Sequence, residues 1–360
     1  DTGEATVTST LTFTSANWDT AQTVTVTGVD DVAVDGNQTT TITASIDDDN
    51  SDDGYDSVED QTVSVTTADD DTAGYTIVES GGSTSVTESG TTDTFTLVLN
   101  TQPLSDVVFS ISSSDTGEAT VTTTLTFTPA NWDTAQTGTV TGIDDSIIDG
   151  TQTATITVSI NDGSSDDDFD SLADQTITTS NVDDDVAGFT IAETDGSTAV
   201  AESGSTDTFT VVLNAQPTSD VVLSITSNDT GESSIPSAIT FTSANWDTAQ
   251  TVTVTGVDDD IIDGEQGSSL TITIDDSNSD NDFDSVADQA VSVTTTDDDT
   301  AGFTITQSEG TTGVAESGTT DTFTVVLDTQ PTSDVVITLT SGDTGEATVT
   351  STLTFTSANW

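Results

Sequence analysis

Threonine alternates with valine, isoleucine and phenylalanine along most of this chain. Thr94-Phe95-Thr96-Leu97-Val98-Leu99 and Thr137-Gly138-Thr139-Val140-Thr141 are typical runs. An apolar residue at every second position is the period of a strand with one buried and one wet face, and these residue types suit a pleated surface. No run shows the 3.6-residue period of a helix. Between runs lie short turns rich in Asp, Gly and Ser, with Gln-Pro at Gln102-Pro103. In residues 72–185 the alternation predicts strands at 74–78, 93–99, 107–112, 125–127, 137–143, 153–160 and 175–180. In residues 1–71 it predicts strands at 23–29, 39–46 and 61–67, preceded by Leu11 and Phe13 alternating with Thr.

The pattern is periodic. Asp-Thr-Gly-Glu starts at Asp1, Asp115, Asp229 and Asp343, so 115−1, 229−115 and 343−229 each give 114 residues. Asp-Asp-Asp-x-Ala-Gly starts at Asp69, Asp183 and Asp297, and Glu88, Glu202 and Glu316 follow the same interval. A period of 114 residues is too long for a solenoid unit and matches one whole β-sandwich domain. The expected organisation is the back part of a repeat (1–71), two complete repeats (72–185 and 186–299) and the front part of a fourth (300–360). The chain is thus expected to sample a longer polymer. The fold class is all-β, with tandem seven-stranded sandwiches running head to tail. Only two residues join each Asp-Asp-Asp to the next repeat's first glycine, which favours a stiff rod over a flexible string.

Strand parity places the acidic turns. In an up-and-down sandwich alternate loops share one end. Four elements of the first complete repeat should meet there: Glu88, Asp115, the group Asp144, Asp145 and Asp149, and the group Asp183, Asp184 and Asp185. The next repeat places Glu202, Asp229, Asp258, Asp259, Asp263, Asp297, Asp298 and Asp299 at the same stations. The partial repeats contribute Asp30, Asp31, Asp35, Asp69, Asp70 and Asp71 on one side, Glu316 and Asp343 on the other. The opposite end carries the acidic loops 47–60, 161–174 and 275–288, with Asp53-Gly54-Tyr55-Asp56, Asp168-Phe169-Asp170 and Asp282-Phe283-Asp284 respectively. Such runs are commonly solvated faces, and for these loops a solvated face and a metal site both stay open.

Composition turns this pattern into chemistry. The chain of 360 residues has 65 Asp and Glu, no Lys, Arg or His, and a net charge of −65. Carboxylates about 4 Å apart repel by roughly 4 kcal/mol at an effective dielectric near 20. The chain has no cationic side chain of its own, so the countercharge must come from outside. Many hard oxygen donors in irregular geometry suit Ca²⁺, which takes 6 to 8 of them, and several ions per repeat are expected. Without His, Cys or Lys there is no Ser-His-Asp or Cys-His system, no zinc site of the usual kind and no Schiff base, so no enzyme is expected. Nucleic acid and anionic membranes require basic patches and are not expected as partners. No run is long and apolar enough for a spanning helix. Trp18, Trp132 and Trp246 read as loop plugs, and the sequons at Asn37 and Asn228 do not recur.

The Ile-Asp-Asp…Asp-Gly element, the Asp-Asp-Asp-x-Ala-Gly-Phe/Tyr-Thr-Ile element and the Glu before the second strand resemble the Calx-beta domain. The resemblance covers the whole chain. It implies a seven-stranded immunoglobulin-like sandwich and Ca²⁺ ligands at one end. In the two complete repeats those ligands fall on the stations named above. One departure is that the family often has a Glu shortly after the Asp pair. Here Asp-Gly is followed by Asn37, Thr151 or Glu265, so ion number or affinity is expected to differ between repeats. The expected function is structural: an extracellular or cell-surface filament or stalk, secreted, stabilised by Ca²⁺ and contacting neighbouring repeats of its own chain. Lateral self-association through Ca²⁺ is a further expectation. The alternatives are the spacer of a large adhesin whose binding domain lies elsewhere, and a Ca²⁺ sensor module.

Overall fold

The structure is a computed structural model and describes residues 2–360. The chain divides into two compact units: residues 1–145 with 149–184, and residues 146–148 with 185–360. Each is built on an all-β sandwich of the immunoglobulin-like kind.

In the first unit, the strands between residues 75 and 182 form two sheets. The four-stranded sheet runs Tyr75–Glu79, Thr92–Leu99, Gln136–Gly142, Ala119–Val121. The five-stranded sheet runs Thr124–Phe127, Val107–Ser113, Gln152–Ile160, Gln175–Val182, Thr84–Thr87. All pairings are antiparallel except the last. The alternation sends Phe95, Leu97, Leu99 and Val140 inward from one sheet and Phe109, Ile111, Ile156 and Val158 from the other. Each such side chain contributes roughly 1.5–3 kcal/mol by leaving water. Phe109 and Phe127 meet edge to face at 5.9 Å, and Trp132 packs against this core.

This is two strands more than the seven expected. Ala119–Val121 is too short to show a period. Thr84–Thr87 is the second half of the opening strand, which changes sheet midway. The crossing occurs at Gly81 and Gly82, whose φ of 66° and 84° lie in the left-handed region that glycine enters without a Cβ penalty. The switch lays Thr84–Thr87 parallel to Gln175–Val182 and delivers Glu88 beside the end of that strand.

The second unit repeats the plan in residues 186–299. One sheet runs Phe189–Glu193, Thr206–Leu213, Gln250–Gly256, Ser233–Ser234; the other runs Thr198–Ala201, Gln289–Thr296, Gln266–Ile274, Val221–Ser227, Ala238–Phe241. Phe209, Val211, Leu223, Phe241, Val252, Val254, Leu270 and Ile272 fill its core, with Trp246 against it.

The partial repeats are thinner than expected. In residues 2–71, Gln38–Ala44 pairs with Gln61–Thr67, and Ala5–Val7 with Val26–Gly28. The expected strand 23–29 shrinks to three residues, and Leu11 and Phe13 lie outside any strand. In the complete repeat Thr124–Phe127 pairs with Val107–Ser113, and Gln136–Gly142 with Thr92–Leu99. Neither partner has a counterpart in residues 2–71, so Trp18 stands 71% exposed. Residues 300–360 hold two hairpins, Phe303–Gln307 with Phe323–Leu327 and Val335–Thr338 with Thr352–Phe355. Between them opens a cavity of about 550 Å³ lined by Phe303, Leu327, Val335 and Ile337. It is an uncovered half-core, and it lacks acidic lining.

Candidate metal centre

The acidic pole is clearest in residues 186–299. Thr198–Ala201 crosses so close to the end of Gln250–Gly256 that a Cβ on Gly256 would lie 2.0 Å from the Ala201 carbonyl oxygen. Glu202 follows at once, its backbone N–H donating to the Thr296 carbonyl at 3.1 Å. Its side chain is 1% exposed. The Oε2 atom of Glu202 is buried and has no hydrogen-bond partner. Glu202, Asp259 and Asp299 each offer an oxygen within 4.8 Å of the others.

The loop after Asp259 is set by its own hydrogen bonds. Ile261 N–H donates to Asp259 Oδ1 at 2.7 Å. Gly264 takes φ 76°, turning the chain back. Asp297 pins that turn: its Oδ2 accepts from Asp263 N–H at 3.0 Å and Gly264 N–H at 2.8 Å, and its Oδ1 accepts from Asp299 N–H at 2.7 Å. These donors hold the Asp297 carboxyl below the usual range. Asp183 and Asp69 make the same bonds to Asp149-Gly150 and Asp35-Gly36. This Asp is a clamp that fixes the acidic loop.

The second cluster is Glu4, Asp31 and Asp35 in the first unit, again with oxygens within 4.8 Å of one another. A small cavity of about 30 Å³ lies there, lined also by Asp30, Asp69, Asp70 and Asp71. That is the share of liquid volume of one water molecule. Glu4 is the last residue of Asp-Thr-Gly-Glu, which sequence reasoning passed over in favour of the Asp. Asp115, Asp229 and Asp343 instead accept from the N–H groups of Gly117, Gly231 and Gly345 at 2.9, 3.0 and 2.9 Å. This is an Asx turn, in which the Asp side chain serves the backbone two residues on. The Asx-turn rule was the available signal that the Glu, not the Asp, remains to face the pole. Glu232 is 8% exposed, and its buried Oε2 has no partner.

In residues 72–184, Glu88 is 1% exposed with an unpartnered, buried Oε2, and it feels the charges of Asp183, Asp145 and Asp149. Asp184 presents its backbone N–H to Glu88. Asp185 belongs to the second unit. Asp144, Asp184, Asp258 and Asp298 are exposed. Asp258 still acts on Asp299 through its charge, as Asp30 and Asp70 act on Asp71. Glu316 and Asp343 are exposed and join no cluster found among the described residues.

Burial, then the neighbouring carboxylates, pushes Glu88 and Glu202 from 4.5 up to about 7. Glu232, Asp149 and Asp299 are raised for the same reasons. The sign of the resulting pH effect follows. Between pH 7 and 4.5 the metal-free fold holds protons on these glutamates that the unfolded chain has released, so stability rises as pH falls through this window. In chelator, the melting temperature is expected to climb from pH 8 to pH 5. A flat or falling trend would show that these carboxylates are not desolvated in the fold. With excess calcium the ion-induced increment should shrink on acidification, because proton and cation compete for the same oxygens.

No protein-family model and no curated protein sequence matches the chain. Several solved structures are similar to the chain at low scores. The calcium binding domain CBD12 of CALX1.1 has 18% identity and TM-score 0.25, covering 55% of this chain and 79% of that one. Domains 4 and 5 of the S-layer protein SbsC have 19% identity and TM-score 0.26, over 52% and 76%. The apo form of the Calx CBD1 domain has 14% identity and TM-score 0.22, over 31% and 98%. At such scores they add nothing to the residues described above.

Proposed function

We propose that the chain is a calcium-stabilised structural array of β-sandwich repeats, working where calcium is plentiful, outside the cell. The observation that carries this reading is Glu202: a buried carboxylate with an unpartnered oxygen, facing Asp259 and Asp299, in a chain without one cationic side chain. Burying a charge with neither ion pair nor hydrogen bonds is among the costliest things a fold can do. A divalent cation removes that cost. The donors are all oxygen, as Ca²⁺ prefers, and sit on loops that tolerate irregular coordination.

Glu202, Asp259 and Asp299 would hold one ion, and Glu4, Asp31 and Asp35 one of the second kind. Asp259 and Asp31 stand at equivalent positions, so neighbouring ions in one pole would share that residue. The ion supplies countercharge. The residues supply placement: the glycine crossing sets the glutamate, and the Asp297 clamp sets the loop. Within the first unit, the loop between Asp31 and Asp35 also reaches the following repeat. Val34 N–H donates to the Gln102 carbonyl at 3.2 Å, and Gln102 N–H donates to the Val32 carbonyl at 2.8 Å. An occupied pole would thereby steady this junction. The resulting role is mechanical, that of a stalk or filament segment.

Calorimetric titration of the chelator-treated chain tests this. Calcium should bind with a stoichiometry above one per chain. Glu202→Gln should remove or weaken binding at one pole while stabilising the metal-free protein above pH 7, where the native carboxylate is charged. A chain that takes up no calcium at millimolar concentration, or a Glu202→Gln variant with an unchanged isotherm, would overturn the assignment.

A further inference from the structure

The two complete repeats differ at a buried position that contacts the Glu of Asp-Thr-Gly-Glu. Gln289–Thr296 carries Thr295, which is fully buried and whose hydroxyl donates to the backbone carbonyl of Glu232 at 3.4 Å. The equivalent Thr67 donates to the Glu4 carbonyl at 2.9 Å. Both threonines leave the glutamate's carboxylate untouched. Glu4 then groups with Asp31 and Asp35, and Glu232 keeps a buried, unpartnered oxygen.

Residues 72–185 carry Asn181 instead, 1% exposed. Its amide Nδ2 donates to the Ile143 carbonyl at 3.0 Å and to the carboxylate of Glu118 at 3.2 Å. Glu118 is the counterpart of Glu4 and Glu232. A carboxylate oxygen bound to an amide N–H is partly neutralised and aimed at its donor. The amide hydrogens also lie against the carboxylate that a cation would need at the counterpart of the Glu4, Asp31 and Asp35 group. Both effects oppose a cation at that place.

We propose that this single position decides whether the Glu of Asp-Thr-Gly-Glu serves as a calcium ligand, so that the repeat 186–299 binds calcium more tightly than the repeat 72–185. The inference rests on the calcium reading of the pole. It turns near-identical repeats into an array with graded sites: Thr sets a glutamate free for the ion, Asn holds it back. Glu118 and Asn181 then form an internal hydrogen-bonded pair that gives the carboxylate a partner within the repeat.

Exchange of the two residues in the 360-residue chain tests it. Thr295→Asn has a precedent in the sister repeat: Asn181 lies beside Gly142, where a Cβ would come 2.8 Å from Asn181 Oδ1, and Gly256 is the counterpart of Gly142. Asn181→Thr installs the residue that both sister strands already carry. In calcium titrations of chelator-treated protein, Thr295→Asn should weaken the tighter class of sites about tenfold, the effect of one charge-assisted hydrogen bond. Asn181→Thr should tighten the weaker class by a similar factor. The double exchange should return an isotherm close to the original, a result that mere loss of packing cannot produce. Circular dichroism of each variant checks the fold. Calcium binding with both single variants unchanged overturns the inference and leaves the calcium reading standing. A parent chain that binds no calcium overturns both.

Discussion

Withdrawing calcium is expected to lower the melting temperature of this chain by about 20 °C. A ligand that binds only the folded state stabilises by RT ln(1 + [L]/Kd), about 2.7 kcal/mol at a hundredfold excess over Kd. Two ions in one pole give about 5 kcal/mol on that basis. For a domain of about 100 residues, 1 kcal/mol moves the midpoint by roughly 4–8 °C. The gain comes from the pole itself. Glu202 and Glu232 lie buried with unpartnered oxygens, and each feels the charge of Asp259 and Asp263. Sodium chloride also screens a chain of net charge −65, so the comparison belongs at matched ionic strength. Thermal melts in calcium at about a hundredfold excess over Kd and in excess chelator, with sodium balancing the charge, provide the measurement. Equal midpoints would sink the idea that the poles are ion sites, because screening alone would then account for the fold's survival.

The repeat, the fold class and most strands were legible because they rest on local patterns. Phe95, Leu97 and Leu99 announce their strand by alternation, and Asp-Asp-Asp announces its end. Two features were not legible. The opening strand's change of sheet depends on Gly81-Gly82 in one repeat and Asp195-Gly196 in the next, both with positive φ. A turn of that kind looks like an ordinary loop until the second sheet is present to receive Thr84–Thr87. The choice between Asp115 and Glu118 was legible only through turn chemistry, since either acid satisfies a pattern of carboxylates at a strand tip. The choice is made by the Asx turn, which uses the Asp on its own backbone, and by strand direction, which carries the Glu toward the pole. Asn181 could not have been singled out either. At the end of an alternating strand an Asn reads as a polar substitute for Thr, and only its reach across to Glu118 sets it apart.

Gly256→Ala should be the most damaging single methyl addition at the pole of the second complete repeat. The new Cβ would sit 2.0 Å from the Ala201 carbonyl oxygen and 2.7 Å from its carbon. Those are backbone atoms of a hydrogen-bonded strand, not the free end of a side chain, so relief requires moving Thr198–Ala201 away from Gln289–Thr296. Gly256 N–H also donates to the Ser205 carbonyl at 3.0 Å, which ties the same crossing together. Overpacking of this kind costs about 3 kcal/mol. Glu202 is the next residue after Ala201, so displacing the strand also withdraws the buried carboxylate from Asp259 and Asp299. Stability and calcium affinity should therefore fall together, the latter by about tenfold or more for a lost charged ligand. Gly267→Ala is the matched control: it lies in the strand Gln266–Ile274 with nothing within 4 Å of the added Cβ and should leave both quantities nearly unchanged. Chemical denaturation with and without calcium separates the two effects. If Gly256→Ala lowers stability in chelator yet binds calcium as the parent does, the glycine crossing shapes the core but does not place the glutamate, and another contact must hold Glu202 at the pole.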